Sequence, residues 1–307
     1  MKESFGELYT RLYRENFEEL ENLRSKAKKT TISLIAVIII AIILFSFNPI
    51  FIFIAILGAI ICISINNKNN KGIYTKTGDK SYSQVFKEKI VGPIIENVFE
   101  DAKYNMYQGI SELEYRKSGY NEHYDRYHSE DLIIAPLNVN KETATFITFA
   151  EVHTERESRD SDGDRTYTTV FHGLSASFLI PQDTKTKIYI RANGRVSNWN
   201  KNKVKMDMSE FERIFDVESD DAILAMRILT ADVMAEMIDL YTKYKYRFEI
   251  NILGDTVYMR LRTGGMFEPN IFGSSMEYKT IERYYLVLKA LTNIASHIYD
   301  TVLKIEI

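Results

Sequence analysis

Residues 143–180 read TATFITFAEVHTERESRDSDGDRTYTTVFHGLSASFLI, and this stretch decides the fold class. Its arms, Thr143–Thr154 and Thr166–Ile180, are rich in Thr, Phe, Ile and Val with partial alternation, the pattern of a pleated, half-buried surface. Between them lies Asp160-Ser-Asp-Gly-Asp164, a run of turn formers. The pattern predicts a long antiparallel hairpin. Folding it about its tip brings His153 near His172 across the strands, with Glu151 and Glu155 close by in sequence.

Outward from this hairpin, strand signals begin near Leu132, and residues 115–130, crowded with Tyr and charge, read as an irregular approach to the sheet. Lys185–Arg191 reads as a further strand, followed by the turn signal Asn193-Gly194. Tyr246–Leu253 and Thr256–Arg262 form a second hairpin around Gly254-Asp255. Ser209-Glu-Phe-Glu212 matches a capping box opening a short helix. Thr230 can cap the next helix, with Val233, Met234, Met237, Ile238 and Tyr241 on one face. A long helix from about Ser275 closes the chain. Runs of strands joined by hairpin turns and followed by helices predict an α+β fold with an antiparallel sheet.

Towards the N-terminus, Phe5, Leu8, Tyr9, Leu12, Tyr13, Phe17, Leu20 and Leu23 recur at helical spacing, so residues 3–28 read as an amphipathic helix. Its apolar stripe needs a cover: the helix expected at about Ser83–Asp101, the C-terminal helix, or a second copy of the chain. Pro93 should bend the Ser83–Asp101 helix.

Between Lys29 and Lys68 there is no charged residue, and Ile32–Ile65 is almost wholly Ile, Leu, Val, Ala and Phe. One helix over that stretch would be about 51 Å long, against a hydrocarbon core of about 30 Å. Asn48-Pro49 at its centre is a natural helix end and restart. The expectation is a transmembrane helical hairpin over 31–66, with spans at 31–47 and 50–66. Ala55, Gly58 and Ala59 put small residues on one side of the second span, where helices can approach closely. Arg24, Lys26, Lys28 and Lys29 precede the hairpin, Lys68, Lys71 and Lys76 follow it, and the turn has no Lys or Arg. The positive-inside tendency then leaves both termini cytoplasmic, in a multi-pass protein of the cell membrane with the lipid bilayer as partner. The domain organisation read this way is 1–30 amphipathic helix, 31–66 hairpin, 67–82 polar linker and 83–307 soluble α+β domain.

Composition narrows the function classes. The 307 residues carry a formal net charge of −3, and the one short basic stretch, Lys201, Lys203 and Lys205, is too small for a nucleic-acid surface. The single cysteine, Cys62, excludes an internal disulfide or a multi-cysteine metal site. There is no nucleophile elbow, no P-loop and no dinucleotide fingerprint, so no cofactor is expected.

The stretches Ser129-Glu-Asp131, Phe149-Ala-Glu-Val152, Val170-Phe-His-Gly-Leu174, Glu210-Phe-Glu-Arg-Ile-Phe215 and Ile228-Leu-Thr-Ala-Asp-Val-Met234 carry a family resemblance. In this order they resemble the uncharacterised bacterial membrane-protein family called domain of unknown function 3137, from about residue 84 onward. The resemblance implies a membrane-attached bacterial protein. It implies no activity, because none of these stretches is catalytic in character.

Candidate site residues follow from chemistry. His153, His172 and Glu151 could form a metal or acid–base site on the hairpin, although chance cross-strand polar pairing produces the same pattern. Gly264, Gly265 and Phe267 lie in a loop long enough to bind a ligand. Asp160, Asp162 and Asp164 resemble the start of a calcium loop, but Arg165 and Phe171 stand where Gly and the bidentate Glu are needed, so no metal is expected there. Trp199, the only tryptophan, suits a membrane interface, a binding surface or a sheet edge. Three functions are open: a membrane-tethered binding or scaffold module, an enzyme using a His/Glu/Asp site on the hairpin, and a dimeric structural protein joined through the N-terminal helix. The tethered binding module is the preferred reading.

Overall fold

The computed structural model describes residues 3–47, 57–58, 60–61, 64, 80–137, 145–159, 163–192 and 202–305. The chain divides into two compact units, Met1–Asn97 with Phe267–Tyr285, and Val98–Met266 with Leu286–Ile307.

In the first unit, α1 (Phe5–Phe47) is one 43-residue helix that runs from the amphipathic segment into the apolar one. Leu8, Leu12, Leu20 and Ala27 are buried along a single stripe. Asn16, on the same stripe, satisfies its amide by donating to the Leu12 carbonyl at 3.1 Å. Both intramolecular covers expected for this stripe supply contacts. The Phe5 ring lies 5.4 Å from Tyr278 and 5.2 Å from Tyr285, the Tyr9 hydroxyl donates to the Met276 carbonyl at 2.7 Å, and Glu19 pairs with Lys89. From Ile32 onward α1 changes character: Ile32, Ile35, Ile38, Ile39, Ile40, Ile42 and Ile43 are 41–61% exposed. Among the described residues no helix is long and apolar enough to cross a membrane. The transmembrane hairpin expected over 31–66 is thus not among the described elements. Residues 48–56, which include the expected turn, lie outside them, as does most of 59–79.

The helix expected from Ser83 begins one residue earlier, because Ser81 and Gln84 form a reciprocal capping box. It comprises α2 (Tyr82–Phe86), a π turn (Lys87–Val91) and α3 (Gly92–Val98). The π turn is the bend expected of Pro93: the Gly92 N–H reaches back to the Lys87 carbonyl just ahead of the residue that has no N–H to give.

The second unit is built on a nine-stranded, wholly antiparallel sheet of order β1-β2-β3-β4-β9-β8-β5-β7-β6. The strands are β1 (Lys103–Asn105), β2 (Arg126–Leu137), β3 (Thr145–Arg159), β4 (Arg165–Leu179), β5 (Lys187–Ala192), β6 (Lys203–Val204), β7 (Phe215–Ser219), β8 (Phe248–Leu253) and β9 (Thr256–Leu261). The helices are α4 (Glu112–Lys117), α5 (Ser209–Ile214), α6 (Ala222–Ile228), α7 (Ala231–Tyr244) and α8 (Tyr278–Lys304). α8 supplies this unit from Leu286 onward. The α+β fold with an antiparallel sheet is therefore as expected. Two local readings change. Ser209 is not the N-cap of α5: Met208 holds that position without a side-chain bond, and Glu212 accepts instead from the Met206 N–H at 2.8 Å. The start of the irregular approach, 115–130, overlaps the short helix α4, which Ser111 caps and which ends at Lys117. The turn at Asn193-Gly194 and Trp199 lie outside the described residues, as do Asp160 to Asp162.

Register sorts the strands into two faces, because directly opposed residues in an antiparallel pair point the same way. Ile147, Phe149, Leu174, Phe178, Met259, Leu261, Ile250 and Ile252 share one face and are all buried. Buried stripes on α7 (Val233, Met237) and α8 (Leu288, Leu291, Ile294, Ile298) complete the unit's apolar core. The other face carries Val152, Phe171, Ser175, Arg260, Glu249 and Asn251. Gly173 sits where β4 meets the end of β9. A Cβ built on it would lie 2.1 Å from the Leu261 carbonyl oxygen and 2.7 Å from the Thr263 nitrogen. Both neighbours are backbone and cannot step aside. Gly173→Ala should therefore destabilise the protein by about 2 kcal/mol or more, read as a lower midpoint in chemical denaturation; an unchanged midpoint would refute the close approach.

Candidate functional site

Three histidines form a row across three neighbouring strands. His128 of β2 pairs in register with His153 of β3, and His153 pairs with His172 of β4, so all three side chains project from one face. The rings of His153 and His172 stack with centroids 4.3 Å apart. Glu151, two residues along β3 and on the same face, is buried, and its Oε1 lies 3.6 Å from His172 Nε2. The same oxygen accepts from the Met266 N–H at 3.0 Å, which fixes the carboxylate. Thr169 Oγ1 holds His153 Nε2 at 3.1 Å. Glu130 lies 3.7 Å from His128 Nε2. The residues singled out in the sequence, His153, His172 and Glu151, are thus brought together, and His128 joins them because β2 continues the row.

Burial, then the neighbouring His172 and His128, lower the pKa of His153 from its ordinary 6.5, against the opposing pull of Glu155 and Glu151. The folded state therefore binds its proton more weakly than the unfolded chain does. Stability linked to His153 is present above about pH 6.5 and is lost as the pH falls from there through the folded pKa. Thermal melts between pH 8 and 5 should show a declining midpoint that flattens in His153→Gln.

The opposite face holds a charge cluster that sequence reading missed. Arg260 is buried, with its Nη2 2.6 Å from Glu249 Oε2 and its Nη1 2.9 Å from Glu122 Oε2. The same Nη1 donates to the Tyr115 hydroxyl at 3.2 Å. The guanidinium lies 3.8 Å from the centroid of the Tyr120 ring and 5.0 Å from that of Phe171. Burial works against its charge, but Glu249 and the surrounding tyrosines and Glu122 outweigh it, and the pKa is raised. Burial likewise raises the pKa of Tyr115 and Tyr120. A cavity of about 120 Å³ opens beside the cluster, lined by Tyr115, Ser118, Tyr120, Glu122 and Tyr124 among others. Among the described residues, the buried Tyr120 hydroxyl finds no hydrogen-bond partner. A usable signal existed: Glu249 and Arg260 are equally spaced about Gly254-Asp255, so folding that hairpin makes them directly opposed.

The expected glycine loop is drawn into structure at both ends. Gly264 has φ +69° and donates its N–H to the His172 carbonyl at 3.1 Å, Met266 anchors Glu151, and Phe267 is fully buried in the first unit, edge-on to Tyr284. Gly265 lies between them with no side chain to offer. Of the Asp160–Asp164 tip, only Gly163 and Asp164 are among the described residues.

Removing the Arg260 charge while keeping its bulk, Arg260→Met, leaves Glu122 and Glu249 buried without their counter-charge. The expected loss is about 3–5 kcal/mol, read in urea denaturation followed by circular dichroism. A loss below about 1 kcal/mol would mean the cluster behaves as a surface ion pair.

Residues 169–299 match the family model described as "Protein of unknown function (DUF3137)". Val170–Leu174, Glu210–Phe215 and Ile228–Met234 fall inside the match, while Ser129–Asp131 and Phe149–Val152 precede it. No curated protein matches the chain. Among solved structures, the chain is similar to the mycobacterial trehalose monomycolate transport factor A, TtfA, at 7% identity and a TM-score of 0.34, over 69% of this chain and 93% of that one. A likeness of that quality carries no argument about function. The match over residues 169–299 supports the resemblance to the proteins of unknown function DUF3137.

Proposed function

We propose that this chain is a membrane-anchored binding or scaffold module whose two units are held at the cytoplasmic face of the cell membrane by the segment 31–66. The observation that carries the reading is the half-exposed isoleucine surface of α1 from Ile32 to Ile43. Leu57, Ile60 and Ile61 of the returning segment are exposed in the same way. Water does not favour such a surface, and lipid does. The two arms also approach closely: a Cβ built on Gly58 would lie 3.5 Å from Val37 Cγ1. Val37 and Gly58 stand eleven residues before Asn48 and nine after Pro49, which suits a hairpin folded at that pair. The basic flanks at Arg24–Lys29 and Lys68–Lys76 set the orientation. Tethering would confine the binding surfaces to two dimensions and raise their effective concentration for membrane partners.

The dimeric reading draws less support, because Leu8, Leu12 and Leu20 of the N-terminal stripe are already buried within the chain. The enzymatic reading rests on the histidine row, which brings acid–base groups together beside Glu151. The test is extraction. Full-length protein expressed in bacteria should pellet with membranes, survive an alkaline carbonate wash and dissolve only with detergent, and a variant lacking residues 31–66 should appear in the supernatant. Recovery of the intact chain from detergent-free supernatant would overturn the proposal.

A further inference from the structure

We propose that His172, Glu151 and His153, with His128 beside them, form a binding site for a divalent transition-metal ion of the zinc type. Neither the family match nor the anchoring proposal assigns such a site, and it stands independently of both.

Ligands of one tetrahedral zinc ion, each about 2.1 Å from the metal, lie about 3.4 Å apart. His172 Nε2 and Glu151 Oε1 are 3.6 Å apart, so one ion can bridge them with little movement. His153 sits directly across the ladder from His172, with its ring stacked at 4.3 Å. A turn of that ring out of the stack directs an imidazole nitrogen to the same ion. His128 is the next side chain in the row and is exposed, so it can supply a fourth donor from the solvent side.

The surroundings resemble the outer shell of a metal site rather than a chance surface cluster. Metal-binding carboxylates and imidazoles are commonly held by hydrogen bonds from outside the first ring of ligands. Here the Met266 N–H holds Glu151 Oε1 at 3.0 Å, and Thr169 Oγ1 holds His153 Nε2 at 3.1 Å. The donors are imidazole nitrogens with one carboxylate, a set suited to zinc, copper, nickel or iron and unsuited to calcium or magnesium. Glu130, beside His128 on β2, and Glu155, two residues beyond His153 on β3, add negative charge near the row. Gly264, whose N–H binds the His172 carbonyl, keeps the β4 backbone in place beneath the site.

The experiment is isothermal titration of the full-length, detergent-solubilised chain, stripped with chelator, against zinc chloride, and in parallel against magnesium chloride. The expected result is one saturable zinc site per chain with a micromolar or tighter dissociation constant, and no magnesium binding. His172→Ala and Glu151→Gln should each weaken zinc by at least about tenfold, His128→Ala should weaken it less, and His297→Ala on α8 should leave it unchanged. Cobalt provides a second reading that does not depend on stability: tetrahedral coordination gives intense visible absorption, which should disappear in the His153→Ala/His172→Ala variant while its circular dichroism stays native. Absence of saturable zinc binding, equal magnesium binding, or zinc affinity unchanged in that double variant would overturn the proposal.

Discussion

The antiparallel pairing of β3 with β4 governs what the second unit can bury and what it can display. Side chains alternate faces with period two, so a slip of one residue would exchange every inward and outward position. In the observed register Ile147, Phe149, Leu174 and Phe178 face the core together, and the same count places His153 opposite His172. The histidine row is therefore a consequence of the packing that holds the sheet. The histidines share a face with these core residues, so a one-residue slip would carry both sets together to the other face. Two bulges tune the row locally. One follows Thr154, whose hydroxyl accepts from the Phe171 N–H at 3.1 Å; the other surrounds Asp131 of β2, at φ +56°, which takes the Tyr104 hydroxyl at 2.5 Å. Both occur near the histidines, where bulges re-aim side chains.

The other face meets the opposite problem. A guanidinium taken out of water incurs a desolvation penalty of several kcal/mol unless its charge and hydrogen bonds are answered. Arg260 meets this with two carboxylates, a tyrosine hydroxyl and two aromatic faces. Those partners come from β8, from Phe171 of β4 and from the segment carrying Tyr115, Tyr120 and Glu122. The cluster thereby ties a stretch with little regular structure to the sheet, together with the bond from Asn251 Nδ2 to the Ser118 carbonyl at 2.7 Å. The unsatisfied Tyr120 hydroxyl beside the small cavity is the residual cost of that arrangement.

How far the sequence could be read depended on range. The hairpin from Thr143 was legible because Thr, Val, Ile and Phe cluster on either side of a run of turn formers, and its strands came out as β3 and β4 within a few residues. Period two also made the His153–His172 meeting legible, since only the tip position was needed. His128 was not paired with them, because the reading began its strand near Leu132, whereas β2 starts at Arg126. Arg260 and Glu249 were passed over for a different reason: a charged residue in an apolar strand reads as a surface position until its cross-strand partner is considered. Capping motifs failed where a residue pattern stood one place away from the backbone geometry it needed, as at Ser209, and the real box at Ser81 and Gln84 was passed over for Ser83. The six-residue helix α4 is too short to form without tertiary support, so local pattern alone could not establish it.

The isoleucine surface of α1 raises a question of solvation that the sheet cannot answer. Fully burying an isoleucine is favourable by about 1.5–3 kcal/mol, so seven of them about half exposed to water forgo roughly 5–10 kcal/mol. That is comparable with the whole stability of an ordinary domain, about 5–15 kcal/mol. A folded chain does not carry such a loss without some compensating cover. The same helix buries Leu8, Leu12 and Leu20, whereas among the described residues its isoleucines from Ile32 onward are about half exposed. The half from Ile32 carries no charged residue, and its only polar side chains are those of Ser33 and Ser46. A protein partner would have to surround it, whereas a bilayer does so by its nature. This asymmetry along one continuous helix, polar and packed at one end, aliphatic and open at the other, is the physical ground on which the anchoring proposal stands.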